Sequence, residues 1–164
     1  QDTIPALVDV CITTDTQTGT RALWRSDRLR KLFLTFAEPG QVGLSSIGSL
    51  ISPTTREDNN GLVIDIDPTA KEFKKLMAPI APGLFEPVAI TNYEPISINQ
   101  KCVLDNSVGT LAYDGEREVT VFSGDRIEIA LDRRGPRTID MTKTIENIAY
   151  SGLLINDDAL QSDR

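Results

Sequence analysis

Short apolar runs broken by polar turns dominate the chain. Leu7 to Ile12, Leu32 to Phe36 and Gly61 to Ile66 have strand length, the last after the turn signal Asp58-Asn59-Asn60. Pro87 to Thr91 and Ile96 to Ile98 predict two more strands split at Pro95, because proline cannot donate to a ladder. Thr110 to Tyr113 leads through Asp114-Gly115 into Glu118 to Phe122. Ser123-Gly124-Asp125 then turns the chain into Arg126 to Leu131, where polar and apolar residues alternate, and Arg137 to Met141 can close the series. Asp-Gly and Gly-Asp punctuation predicts antiparallel hairpins. Many short strands in succession predict a mainly β fold of antiparallel stacked sheets or a β-sandwich.

Two or three short helices interrupt the strands. Asp67-Pro68 has the form of a cap followed by proline at the first helical position, and Ala70, Phe73 and Met77 recur at helical spacing up to Pro79. Ile145, Ile148, Ala149 and Leu153 mark one face of a helix starting near Thr142. Ser45 to Ile51 offers a third, with Ile47, Leu50 and Ile51 on one side.

Composition narrows the function classes. The 164 residues suit one domain, expected over residues 1–155, with a polar tail at 156–164 that frays. Net charge is −7. Duplex nucleic acid demands a basic face, and the one basic cluster, Arg25 to Lys31, is broken by Asp27 and fits a solvated strand edge. No apolar run reaches the length of a membrane span and no signal peptide is visible, so a cytoplasmic protein is expected. Cys11 and Cys102 sit among apolar neighbours and are expected as buried free thiols in a reducing compartment. With no histidine, no serine–histidine or cysteine–histidine pair can form within the chain, and no metal site is expected. The first residue is Gln1, which suggests a cut piece or a processed product.

Two segments could carry chemistry. Glu38 to Ser49 runs from a strand into a turn rich in glycine and serine that opens a helix. Gly43 would let a ligand approach the backbone, and Ser45 and Ser46 could bond phosphate or ribose. A plain tight turn with a serine cap explains the same residues, and spacing alone favours it. At Tyr113 to Glu118, Glu116 or Asp114 could accept a proton from a substrate hydroxyl, although Asp-Gly is also an ordinary type I′ turn. Met77 to Gly83, with three residues between Pro79 and Gly83, predicts a stiff corner where a helix ends and a strand starts.

In order along the chain, these pieces resemble the C-terminal domain of the NAD kinase family. The likeness is strongest to the ATP-NAD kinase-like branch that includes the acetoin-catabolism X proteins, with a further relation to diacylglycerol-type lipid kinases. Ala6 to Val10 stands where the family has an Asn-Glu strand, with Val8-Asp9 in place of that pair. Gly43 to Gly48, leading to Ser52-Pro53, stands at the Gly-Ser-Thr segment, and Pro79-Ile80-Ala81-Pro82 at a Pro-Ile-x-Pro corner. Asp114-Gly115-Glu116 stands at a hairpin that is Asp-Gly-Glu in the lipid kinases, and Gly124-Asp125 at the turn after it. The likeness covers residues 6–141. The Gly-Gly-Asp-Gly-Thr motif of the N-terminal domain is absent.

The resemblance implies an NAD kinase C-terminal domain-like fold and a substrate-binding, oligomer-building role within a larger phosphotransferase. The full-length protein would use ATP and magnesium to phosphorylate NAD or a related hydroxyl compound, and its partners would be its own N-terminal kinase domain and further copies of itself. Asp9, Gly43, Ser45 and Ser46 are the implied substrate contacts, and Glu116 and Asp114 the implied catalytic carboxylates. Phosphate is expected on the serine side and ribose on the acidic side. The isolated chain is expected to be inactive. A different class of function, a non-catalytic assembly or ligand-binding module on the same fold, is the alternative.

Overall fold

The computed structural model describes residues 3–15, 25–105, 108–136 and 139–155. It divides into two compact units, Gln1–Arg133 and Arg134–Arg164. The first holds β1 (Asp9–Thr13), β2 (Leu29–Leu34), α1 (Leu44–Ile51), β3 (Asn60–Ile66), β4 (Lys74–Ala81), β5 (Leu84–Ser97), β6 (Lys101–Asp105), β7 (Gly109–Tyr113), β8 (Arg117–Val121) and β9 (Arg126–Ala130). Seven of these strands form one antiparallel sheet in the order β4-β5-β3-β2-β1-β7-β8, while β6 and β9 pair as a second, two-stranded sheet. The described residues are thus mainly β, with antiparallel sheets and two α-helices.

Strand alternation splits the core in two. In β3, Leu62, Ile64 and Ile66 point to one face and Val63 to the other, and β2 divides Leu32 and Leu34 from Phe33 in the same way. The first face packs against Ile47 of α1. The second packs against Leu104, Ile127 and Ile129 of the small sheet. A side chain as fully buried as Ile47 or Leu32 contributes about 1.5–3 kcal/mol. Helix α1 sits very close to its face: a Cβ on Gly48 would lie 2.8 Å from the Cβ of Ala37 and would collide with Cδ1 of Leu34. The second unit contains α2 (Met141–Ser151), capped by Asp140, whose carboxylate accepts the Lys143 amide at 3.0 Å, and closed by Gly152 in the left-handed conformation at φ 65°.

Several expectations are corrected. No helix follows Asp67. Its carboxylate accepts the amide and hydroxyl of Thr69 at 2.8 and 2.7 Å, making a local turn, and the chain then enters β4. The core-facing residues there alternate, buried Ala78 and the half-buried Leu76 and Ile80 lying on the α1 side, whereas Phe73 and Met77 of the expected helical face are exposed. Long-range pairing with β5 has overridden a local helical spacing. The expected helix-to-strand corner after Met77 is the β4–β5 hairpin, with Gly83 at φ 77°.

The two strands expected on either side of Pro95 are one. Ladder β5 pairs with β4 through Ile90 and with β3 from Ile90 onward, so each half has a neighbour on one side and Pro87 and Pro95 can turn their missing donor outward. A bulge at Thr91 reverses the alternation, which is why Ile90 faces α1 and Ile96 faces the small sheet. The Ser123-Gly124-Asp125 turn does not close a hairpin, since β9 leaves β8 and pairs with β6. Lys31 lies in the interior strand β2, 2.5 Å from Asp65, so the basic cluster is not a sheet edge. Arg137 and Thr138 lie outside the described residues, and Met141 opens α2 rather than closing a strand. Cys11 is a buried free thiol as expected, whereas Cys102, on β6 of the small sheet, is free but partly exposed. No helix among the described residues is long and apolar enough to cross a membrane.

Candidate functional site

Asp9 opens β1 directly opposite Leu34 of β2, so its side chain lies on the face that carries α1. Burial is the main influence on its carboxyl and the charge of Asp114 the second. Together they push its pKa from 3.8 to about 6, against the lowering effect of the Asp114 amide. The nearby Cys11 thiol is buried on the same face and is driven up to about 12, first by burial and then by Asp9. Asp9 is therefore a half-buried carboxyl whose proton exchanges close to neutral pH.

Asp114 sits at the tip of the β7–β8 hairpin. Asp114 and Gly115 both take positive φ, 56° and 67°, as the central pair of a type I′ turn requires. The Asp114 carboxylate accepts the Leu7 amide at 2.8 and 3.0 Å and the Val8 amide at 2.8 Å, and it pairs with Arg117 at 2.8 Å. Burial pushes this carboxyl up, but the Val8 and Leu7 amides and the Arg117 guanidinium outweigh it and hold the pKa below its ordinary value. A carboxylate so engaged is a weak proton acceptor. Glu116 is exposed on the same turn, its amide donating to the Tyr113 carbonyl at 3.4 Å.

The glycine–serine segment forms a second group. Gly43 precedes α1 at φ 83°, ψ −154°, a conformation open to glycine, and the space where a Cβ would stand is empty. Its amide donates to the Pro79 carbonyl of β4 at 3.2 Å. Ser45 and Ser46 are both buried, and the Ser46 hydroxyl donates to the Gly43 carbonyl at 2.6 Å, inside the first turn. The structure thus joins Asp9 to Asp114 and joins Gly43 to Ser46. The two groups share the α1 face through Leu34, which lies opposite Asp9 and under Gly48.

Arg117, paired with Asp114, and Thr35, whose hydroxyl donates to the Leu7 and Val8 carbonyls, belong with these residues and carry no motif of their own. The three-residue spacing from Asp114 across a tight turn is the signal that could have pointed to Arg117. A shallow hollow lined by Phe73, Lys75, Pro87 and Val88 shares no residue with either group. Among the described residues, no three histidine, cysteine, aspartate or glutamate side chains gather as a metal site.

Residues 1–134 match the family described as the acetoin catabolism protein X C-terminal domain. The acetoin catabolism protein X of Cupriavidus necator is 35% identical over 149 residues, 91% of this chain and 42% of that protein. The chain therefore spans less than half the length of this relative. No solved structure matches it. With most of its length matched, the chain belongs to the acetoin catabolism protein X C-terminal domain family.

Proposed function

We propose that this domain forms the acceptor-substrate wall of an NAD kinase-like phosphotransferase, whose whole chain transfers a phosphoryl group from ATP to NAD or a related hydroxyl compound. The observation that carries the reading is Asp9, a half-buried carboxyl raised to about 6 on the sheet face that packs against α1, the helix Gly43 precedes. Such a group accepts a hydrogen bond from a ribose hydroxyl and can hold its proton near neutral pH. Gly43 leaves open backbone on the side where a phosphate is expected. Phosphoryl transfer depends chiefly on positioning and charge stabilisation, so a domain that orients the acceptor contributes without its own nucleophile. ATP and its magnesium are assigned to the rest of the larger protein. In this chain Asp9 takes the place proposed from sequence for Asp114 and Glu116, because Asp114 is already bound to two amides and a guanidinium.

The test is an amide NMR titration of the 164-residue chain with NAD. Shifts at Asp9, Gly43 and Ser45 that disappear in Asp9→Ala are expected, together with no NADP formation from ATP and magnesium by this chain alone. Shifts confined to residues 67–77 or to α2 would refute the reading.

A second reading, self-association, has its own observation. Met77 and Phe85 stand exposed on the edge hairpin β4–β5, on the face away from α1. Light scattering at rising protein concentration separates it from the first, and a monomer throughout would remove it.

A further inference from the structure

The segment before β1 is held by side chains from two other elements. The amides of Leu7 and Val8 both donate to Asp114. The carbonyls of the same two residues accept the Thr35 hydroxyl, at 2.9 and 3.0 Å, and the Val8 carbonyl also accepts the Thr35 amide at 3.0 Å. Arg117 Nη2 donates to the Pro5 carbonyl at 2.9 Å and to Asp114 at 2.8 Å, and its guanidinium lies 4.6 Å from the centre of the Tyr113 ring. The next residue is Asp9, whose carbonyl accepts the Asp114 amide at 3.0 Å.

All four backbone polar groups of Leu7 and Val8 are thereby satisfied before the β1 ladder begins. An Asp-Gly turn needs none of this, since the turn closes through its own backbone. A mere strand end could leave these amides to water.

We propose that Asp114 and Arg117 are positioning residues for Asp9, forming a clasp at the β7–β8 tip that fixes Pro5–Val8, aims the Asp9 side chain, and sets a fixed negative charge beside it. Its meaning for substrate binding rests on the proposed role of Asp9, but the clasp itself does not. Arg117 keeps Asp114 ionised and dampens its field, so the pair tunes Asp9 in opposite directions. The other surroundings of Asp9 leave this pair as the adjustable one. Cys11 on the same strand is a thiol driven to about 12 and is neutral at physiological pH. Leu34 faces Asp9 from β2, and α1 from Leu44 to Ile51 carries no ionisable side chain. Glu116 on the hairpin points into solvent.

The experiment is a carboxyl-carbon NMR titration of Asp9 in the whole chain, for the parent, Asp114→Asn and Arg117→Gln. Asparagine keeps one acceptor oxygen for the Leu7 and Val8 amides and tolerates the positive φ, while its amide nitrogen removes the charge together with the bond that Arg117 donates to the second oxygen. The Asp9 midpoint should fall by about 1 pH unit in Asp114→Asn and rise in Arg117→Gln. In Asp114→Ala the Leu7 and Val8 amides should also lose protection from hydrogen exchange. A midpoint unmoved in Asp114→Asn with a native amide spectrum would overturn the proposal, as would full protection of both amides in Asp114→Ala. If Asp114→Ala does not fold, Asp114→Asn decides. A failed NAD titration with these shifts intact would sink the nucleotide reading and leave the clasp standing.

Discussion

Replacing Asp9 by asparagine should stabilise the protein at neutral pH and above, with little effect in acid. In the unfolded chain this carboxyl titrates near 3.8, and in the folded chain near 6. Between those values the unfolded state has released the proton and the folded state still holds it. Unfolding stability therefore falls as pH rises through this window, and the full penalty is present above about pH 6. The gap from 3.8 to about 6 corresponds to about 3 kcal/mol, and partial access to solvent reduces the expected effect to about 2 kcal/mol. Asparagine has the same shape and no charge to desolvate. The difference in unfolding free energy between Asp9→Asn and the parent, from urea titrations at steps from pH 4 to 8, should be small at the acid end, climb through the window and level off above it. Asp114 titrates with the opposite sign, its lowered pKa giving a contribution present above 3.8 and lost as pH falls through its folded value, and taking the difference leaves of it only its coupling to Asp9. A difference that stays flat across the range would refute the burial and repulsion assigned to Asp9. A gain in stability with loss of NAD-induced shifts would mark Asp9 as a residue kept at a cost to the fold.

Gly48→Ala should destabilise by about 1 kcal/mol in urea unfolding. The helix gains about 1 kcal/mol from alanine, but overpacking against Ala37 and Leu34 costs about 1–3 kcal/mol; equal or greater stability would show that α1 can lift off the sheet. Ile47→Ala should lose about 2–5 kcal/mol, because Ile47 is fully buried between α1 and β2 and its removal leaves a cavity. In the native protein a thiol reagent at pH 8 should modify Cys102 well before Cys11, whose buried thiol titrates at about 12; equal rates would contradict that burial.

Much of the fold was legible in the chain because its strands are short and differently punctuated. The runs at Leu32, Gly61, Thr110 and Arg126, and the helices at Ser45 and Thr142, are set by local periodicity and caps, and the structure places an element at each. The same holds for the Asp114-Gly115 turn, whose positive φ values only a few residue types accept readily. The stretch from Asp67 to Pro79 reads locally as a helix because Ala70, Phe73 and Met77 mimic a helical face, while the alternation that matters, Leu76, Ala78 and Ile80, has meaning only once β5 lies beside it. Pro95 likewise ends a strand by every local rule and is admitted here because β5 changes neighbours at the Thr91 bulge. The candidate site divides in the same way. The sequence by itself determined that carboxylates would stand at Asp9 and Asp114 and that an open glycine would precede α1. Only the tertiary structure decided their surroundings, since burial and a neighbouring charge are properties of the packed strands: folding brings Asp114 across 107 residues to the amide of Leu7, which leaves Asp114 held by its partners with its pKa lowered and Asp9 half-buried with its pKa raised to about 6.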